Sequence, residues 1–203
     1  RDKMLRRGAQ RRSAGVFDLV VVGGGVAGIS AAVAAARLGL KVALVQNRPV
    51  LGGNNSSEVR VHLGGRINTG KYPRLGDLQK EFAPTLEGNA MPAENYADDR
   101  KLQFVKAQPN VSLFLNHHVC GVRLKGNKTS NAGCCEANGD ANGGSSSKKI
   151  CCSNTQNAAC TTSNTAINHD NTIEAVVAMN ILTGEEISFE ASLFADCTGD
   201  ATL

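Results

Sequence analysis

The chain has no tryptophan, only two tyrosines and five prolines in 203 residues, and its aromatic content is 4%. Its core must therefore be built mainly from Val, Leu, Ile and Ala. A hydrophobic content of 41% is enough for one good-sized domain, or one and a fraction. No apolar run approaches the ~20 residues that a membrane-spanning helix needs, so no transmembrane helix is expected. No secretory signal is visible, so the seven cysteines do not read as a disulfide framework. Cys-x-x-Cys spacing is absent as well. The adjacent pairs Cys134-Cys135 and Cys151-Cys152 lack the two-residue gap of zinc and iron–sulfur ligands, and no metal site is expected from them.

Excess positive charge is missing from most of the chain too. The net charge of +4 is concentrated in residues 1–12, where six basic side chains face one acid, Asp2. The remainder carries −1, which argues against a nucleic-acid-binding surface. Residues 1–15 read as a basic, disordered leader: either a solvated tail or the remnant of an organelle-targeting segment. The compartment expected is the cytoplasm, or an organelle if the leader is such a remnant.

Residues 126–170 contain Asn, Ser, Thr, Gly and five of the cysteines, with no aromatic side chain. Such a segment cannot bury enough apolar surface to offset the entropy of ordering. It reads as a disordered, low-complexity insertion in a hairpin or sheet loop. The ordered domain is then 16–203, interrupted by 126–170.

What is present begins with Phe17–Val22, a continuous apolar run suited to a strand buried on both faces of a parallel sheet. The glycine-rich turn Gly23–Gly28 follows, then an Ala-rich helix over Ile29–Leu38 closed by Gly39, then a second buried strand over Lys41–Val45. This is a βαβ unit. Further helices are expected over Tyr72–Glu87 and Ala93–Ala107. Strands are expected over Val111–Leu115, Val119–Leu124, Thr172–Ile181, Glu186–Glu190 and Ala191–Ala195.

Gly23, Gly25 and Gly28 form a GxGxxG turn between strand and helix. The first glycine permits the tight turn, the second lets the backbone approach a pyrophosphate, and the third lets the helix pack closely. The helix N-terminus offers unpaired N–H groups to phosphate. Dinucleotide binding is the chemistry this pattern serves. At the end of the second strand, where an acidic residue usually meets the ribose, stands Gln46, whose amide oxygen can accept the same bond more weakly. Arg48 suits a 2′-phosphate instead, so this motif alone leaves NADP open.

The string from Val21 to Arg60 resembles the FAD-dependent oxidoreductases related to the flavoprotein A subunit of heterodisulfide reductase, within the glutathione-reductase-like class. The resemblance covers about residues 16–125 and 172–203. Three patches carry it: the glycine turn; Gln46-Asn47-Arg48-Pro49 with Leu51-Gly52-Gly53-Asn54; and Asp196-Cys197-Thr198-Gly199-Asp200. It implies an α/β fold, with a Rossmann-like parallel sheet, a βαβ FAD-binding unit and a small antiparallel β-hairpin or meander. It also implies that Gly52, Gly53 and Asn54 pass over the FAD ribityl–pyrophosphate, that Thr198, Gly199 and Asp200 return to the pyrophosphate, and that backbone near Val119 edges the adenine. A substrate domain and a last FAD-binding stretch would follow Leu203. Full-length relatives often carry an iron–sulfur cluster, whose ligands would lie outside this chain.

In such enzymes the flavin carries the redox step and the protein orients it. Groups near the flavin would come from the irregular loop 47–70: Asn54, Ser56, Ser57, Glu58, Arg60, His62 and Arg66. Arg60 or Arg66 could hold an anion, and His62 could exchange protons near neutral pH. The alternative for each is a loop hydrogen bond or a solvated charge. His117 and His118 read as ordinary edge residues, and Cys197 as a small packed side chain. The leading function is an FAD-dependent oxidoreductase of unknown substrate and electron partner. An NAD(P)-binding Rossmann dehydrogenase and a non-catalytic flavoprotein remnant are the alternatives.

Overall fold

The computed structural model describes residues 12–64, 68–74, 76–83, 88–125 and 172–199. Elements follow in the order β1 (Arg12–Val22), α1 (Val26–Arg37), β2 (Val42–Val45), α2 (Asp77–Phe82), a 3-10 turn (Ala93–Tyr96), α3 (Asp98–Lys106), β3 (Val111–Phe114), β4 (His117–Leu124), β5 (Ile173–Asn180) and β6 (Glu186–Asp196). All six strands join one sheet, ordered β3-β2-β1-β6-β5-β4. The first four are parallel, and β5 and β4 complete an antiparallel hairpin. The fold is the α/β class expected, with a Rossmann-like parallel sheet and an antiparallel extension.

The end of β1, Leu19–Val22, is apolar on both faces because both faces are covered there. Val21, with Val42 and Leu44, packs under α1 and meets Phe82 of α2 and Val105 of α3. Phe17, Val20 and Val22 face the opposite layer with Val176 and Ala178 of β5 and Phe189 of β6. Three of the six phenylalanines meet there: Phe114 sits edge-on to Phe17 and Phe189, with centroids 6.5 and 4.8 Å away. Val, Leu, Ile and Ala dominate the core, but this phenylalanine cluster joins β1, β3 and β6 and packs with Val176 and Ala178 of β5.

From β1 the chain winds to β2 and β3 on one side, then crosses to the hairpin and β6 on the other. The winding direction reverses beside β1, and in open α/β sheets the crevice at the C-terminal ends of such strands is the ligand-binding position.

The structure corrects several sequence expectations. Strand β1 starts at Arg12, so residues 12–15, read as part of a disordered leader, are extended and register with β6. Among the described residues, the helix expected over Tyr72–Glu87 covers Asp77–Phe82. Ala83 precedes a proline and is extended (φ −102°, ψ 122°), as the proline ring demands. The helix expected over Ala93–Ala107 is split at Ala97, which adopts the left-handed conformation (φ 50°, ψ 50°) between the 3-10 turn and α3. The two strands expected over 186–195 are one. The first part of β6 pairs with both β5 and β1, and its last part with β1 alone. Strands β4 and β5, which pair with each other, flank the Asn/Cys-rich segment. That segment, with its five cysteines, and residues 1–11 lie outside the described residues, as do Arg66 and Asp200.

Candidate functional site

The crevice at the C-terminal ends of β1, β2 and β6 is a pocket of about 620 Å³, within the size range of cofactor sites. Four segments far apart in sequence meet there. One is the glycine turn with the start of α1. The second is the end of β2 with the loop from Gln46 to Asn55. The third is the start of β4, and the fourth is the turn after β6.

The glycine turn is shaped by close backbone approaches. A Cβ on Gly28 would lie 1.8 Å from the carbonyl oxygen of Gly23, and one on Gly23 would lie 2.5 Å from that of Cys197. Gly25, by contrast, has an ordinary extended backbone (φ −69°) and nothing within 4 Å of a would-be Cβ. Its open side belongs to the pocket lining. Gly25 is also the N-cap of α1 and supplies no side-chain cap, so the first N–H groups of the helix are left for another acceptor. Gly24 was not singled out by the motif, yet a Cβ there would strike Leu51 at 2.6 Å.

The second loop closes on the first. The Gly52 amide donates to the Gly24 carbonyl at 2.8 Å, and Gly25 and Gly52 form a parallel bridge. Gly52 has φ +114°, and a Cβ on it would lie 2.3 Å from the Asn55 carbonyl oxygen, so only glycine serves. A Cβ on Gly53 would come within 3.1 Å of Gly25 Cα.

Gln46 is buried, at 4% exposure. Its Oε1 accepts from the Gly24 amide at 2.7 Å, and its Nε2 donates to the Val50 carbonyl at 3.1 Å. The side chain thus ties β2 to both glycine loops, and Oε1 keeps one further lone pair. Asn47 and Arg48 line the outer wall, and Arg48 is also paired with Glu58 at 3.4 Å. At the far wall the Cys197 amide donates to Val22, and Asp196 Oδ1 accepts from the amide and hydroxyl of Thr198 at 2.9 and 2.7 Å. This fixes the Thr198–Gly199 turn against the end of β1.

The pocket therefore brings together Gly23, Gly25, Gln46, Asn47, Arg48, Gly52, Gly53, Asn54, Val119, Thr198 and Gly199. Gly28 stands behind them, where it packs the helix onto the turn. Arg60 and His62 do not line the pocket. Arg60, with φ 60°, turns its Nε back to the Ser57 carbonyl at 3.0 Å. His62 places its amide and ring Nδ1 on Asn89 Oδ1, at 3.0 and 2.6 Å. Ser56 and Ser57 bond within the loop and to Asp98.

His117 and His118, read from sequence as ordinary edge residues, both line the pocket at the start of β4. His117 is buried at 8% exposure, and its Nδ1 lies 2.6 Å from the Leu115 carbonyl, so the ring donates there and Nε2 is left without a partner. Asn55 Oδ1 is the other buried side-chain oxygen or nitrogen without a partner among the described residues, and Asn55 too lines the pocket. No local pattern in the sequence marks His117, because β4 reaches the pocket through pairing beyond the chain neighbourhood. Cys197 lines the pocket and packs on the α1 side of the core, where burial and neighbouring Asp196 push its thiol pKa up. Among the described residues no group of three His, Cys, Asp or Glu side chains could hold a metal ion. No described helix is long and apolar enough to cross a membrane.

A family model described as FAD dependent oxidoreductase matches residues 18–142. The chain belongs to this family. A soluble pyridine nucleotide transhydrogenase of Ectopseudomonas mendocina (strain ymp) is 58% identical over 38 residues, 19% of this chain and 8% of that protein. Among solved structures, the open conformation of a flavocytochrome c3 fumarate reductase superposes with a TM-score of 0.51 at 15% identity, over 96% of this chain and 35% of that one. E. coli quinol fumarate reductase FrdA superposes with a TM-score of 0.50 at 14% identity, over 91% of this chain and 32% of that one. At these identities the likeness shows a shared fold, and the chain spans about a third of the length of either structure. FAD is the cofactor after which this family is described.

Proposed function

We propose that the pocket grips the adenosine diphosphate half of FAD, and that the whole protein is a flavin oxidoreductase of the kind related to the heterodisulfide reductase A-subunit flavoproteins. One observation carries the reading. Two glycine loops and the Thr198–Gly199 turn, about 30 and 170 residues from the first loop, converge on one crevice at the N-terminus of α1. A plain dinucleotide turn needs only the first of these. The cradle fits such a group because backbone, not side chain, faces the space beside Gly25.

In this reading the open N–H groups at the start of α1 receive the pyrophosphate. Gly53 and Asn54 border it from the second loop, and Thr198 and Gly199 from the third segment. The remaining lone pair of Gln46, with Asn47 and Arg48, meets the ribose, and β4 near Val119 edges the adenine. When bound, FAD supplies electron or hydride transfer. The residues of this chain hold it, fix its direction and keep water from its diphosphate. Arg60 and His62 stand on the outer half of the loop, where an anionic substrate approaching from solvent would meet them. Residues 16–203 then form part of one FAD-binding domain, with 126–170 inserted in the β4–β5 hairpin.

Titration of the cofactor-free full-length protein with FAD, FMN and NADPH tests the reading. FAD binding with no response to FMN, which lacks the adenylate half, is the expected result. Binding of NADPH without FAD would overturn it.

A further inference from the structure

Behind the second glycine loop lies a lysine with no water contact. Lys101 of α3 is 0% exposed. Its Nζ donates to the Asn55 carbonyl at 2.6 Å and to the Tyr96 carbonyl, and stands 3.8 Å from Asp98 Oδ1. Asp98 in turn accepts the Ser57 amide at 3.2 Å and the Ser57 hydroxyl. Buried Tyr96 donates its hydroxyl to the Arg60 carbonyl at 2.6 Å. Three residues of one short stretch, 96, 98 and 101, thus hold the loop at 60, 57 and 55. The Lys101 stem also backs Gly52: a Cβ there would lie 3.1 Å from Lys101 Cδ.

An ammonium group is removed from water only at a cost, and burial pushes the Lys101 pKa down. Apolar side chains of similar volume would pack this site without that cost. What they would lack is a donor that fixes two carbonyls at once. One of those, Asn55, belongs to the segment whose amide donates to Gly52 at 3.0 Å, and Gly52 is bonded to Gly24 of the first turn. The left-handed break at Ala97 sets Tyr96 and Asp98 on either side of the same grip.

We propose that Lys101 is a positioning residue that holds the Gly52–Gly53 loop against the Gly23–Gly28 turn, so that the pocket is formed before its ligand arrives. Its consequence for cofactor affinity rests on the FAD reading above. The loop order itself does not.

The test uses the full-length protein carrying Lys101→Met, and separately Asp98→Asn, which keeps the lysine and removes its counter-charge. Amide hydrogen exchange is followed at Gly52, Asn55 and Ser57 and in β1 and β2, below the onset of melting, and the FAD dissociation constant is measured. Lys101→Met is expected to speed exchange at Gly52 and Asn55 about tenfold or more while β1 and β2 keep their protection, and to weaken FAD about tenfold. Asp98→Asn is expected to release Ser57 first, and it decides the question if Lys101→Met does not fold. Loop exchange equal to wild type, or a rise shared equally by loop and core, would overturn the proposal, the second because it marks a general stability role. FAD affinity unchanged by a loosened loop would overturn its link to the cofactor. A wild-type protein that binds no FAD would sink the pocket reading, while the exchange data would still decide the role of Lys101.

Discussion

Gly25 and Gly28 belong to the same motif but constrain different things, and alanine substitution separates them. At Gly28 an added methyl would lie 1.8 Å from a backbone carbonyl oxygen, so helix α1 or the turn must move. Overpacking against backbone costs up to roughly 3 kcal/mol. For a domain of this size that lowers the melting temperature by about 6–12 °C. At Gly25 the backbone is already extended and no atom lies within 4 Å of the new methyl. The loss of a favourable N-cap and the gain from a stiffer unfolded chain nearly cancel, so stability should change by less than about 1 kcal/mol. The methyl would nevertheless project into the pocket where a diphosphate must approach the helix N-terminus. Losing one charge-assisted hydrogen bond costs about 1.5–3 kcal/mol, or about ten- to a hundredfold in the dissociation constant. Thermal melts followed by circular dichroism, with calorimetric titration of FAD, read both quantities. Gly25→Ala should melt like wild type and bind FAD poorly, and Gly28→Ala should melt early. A Gly25→Ala protein with wild-type FAD affinity would refute the placement of the diphosphate.

Three further predictions follow from packing and charge. Phe189 is fully buried against Phe17 and Phe114, so Phe189→Ala should cost about 3–5 kcal/mol in urea unfolding by loosening the packing of β6 with β1 and β3; a loss under about 1 kcal/mol would contradict the role of this cluster. The raised Cys197 pKa keeps its thiol protonated at neutral pH, so iodoacetamide should label it slowly at pH 7 and faster above pH 9, and FAD should protect it; labelling at pH 7 as fast as that of a small free thiol would contradict this. Glu81 has its pKa lowered by the two-point hydrogen bond from Arg37, at 2.9 and 2.7 Å. A carboxyl whose folded pKa is depressed contributes stability above its ordinary value near 4.5, and loses it as pH falls through the folded value. Unfolding midpoints at pH 6 and pH 3 should therefore differ more in wild type than in Arg37→Ala, and equal differences would show that the pair contributes nothing.

The βαβ unit was legible because its signals are local. A valine run marks a doubly covered strand, glycines mark the turn, and alanines mark the helix. Most of the cradle was legible for the same reason, since Gly52, Gly53 and the Thr198–Gly199 turn sit in short recognisable strings. Features decided by tertiary contact were not. Ala97 is a good helix former, yet it is left-handed because Tyr96 and Asp98 are each fastened to the 57–60 loop. The single strand β6 was read as two because its change of partners leaves no mark in its own sequence. His117 reaches the pocket because its amide donates to the Gln46 carbonyl at 2.9 Å, a pairing 71 positions apart that no local pattern announces. Lys101 would pass for a solvated helix residue in sequence, and only its burial reveals the grip on the glycine loop. The short extent of α2 was legible in principle, from Gly76 and Pro84 on either side of it.

The most direct test is the absorbance spectrum of the purified full-length protein from about 300 to 550 nm, with the supernatant analysed after denaturation. Flavin bands in the native protein and FAD released into the supernatant are the predicted result. A colourless protein that gains no thermal stability from added FAD, yet gains it from NADPH, would contradict the assignment of the pocket.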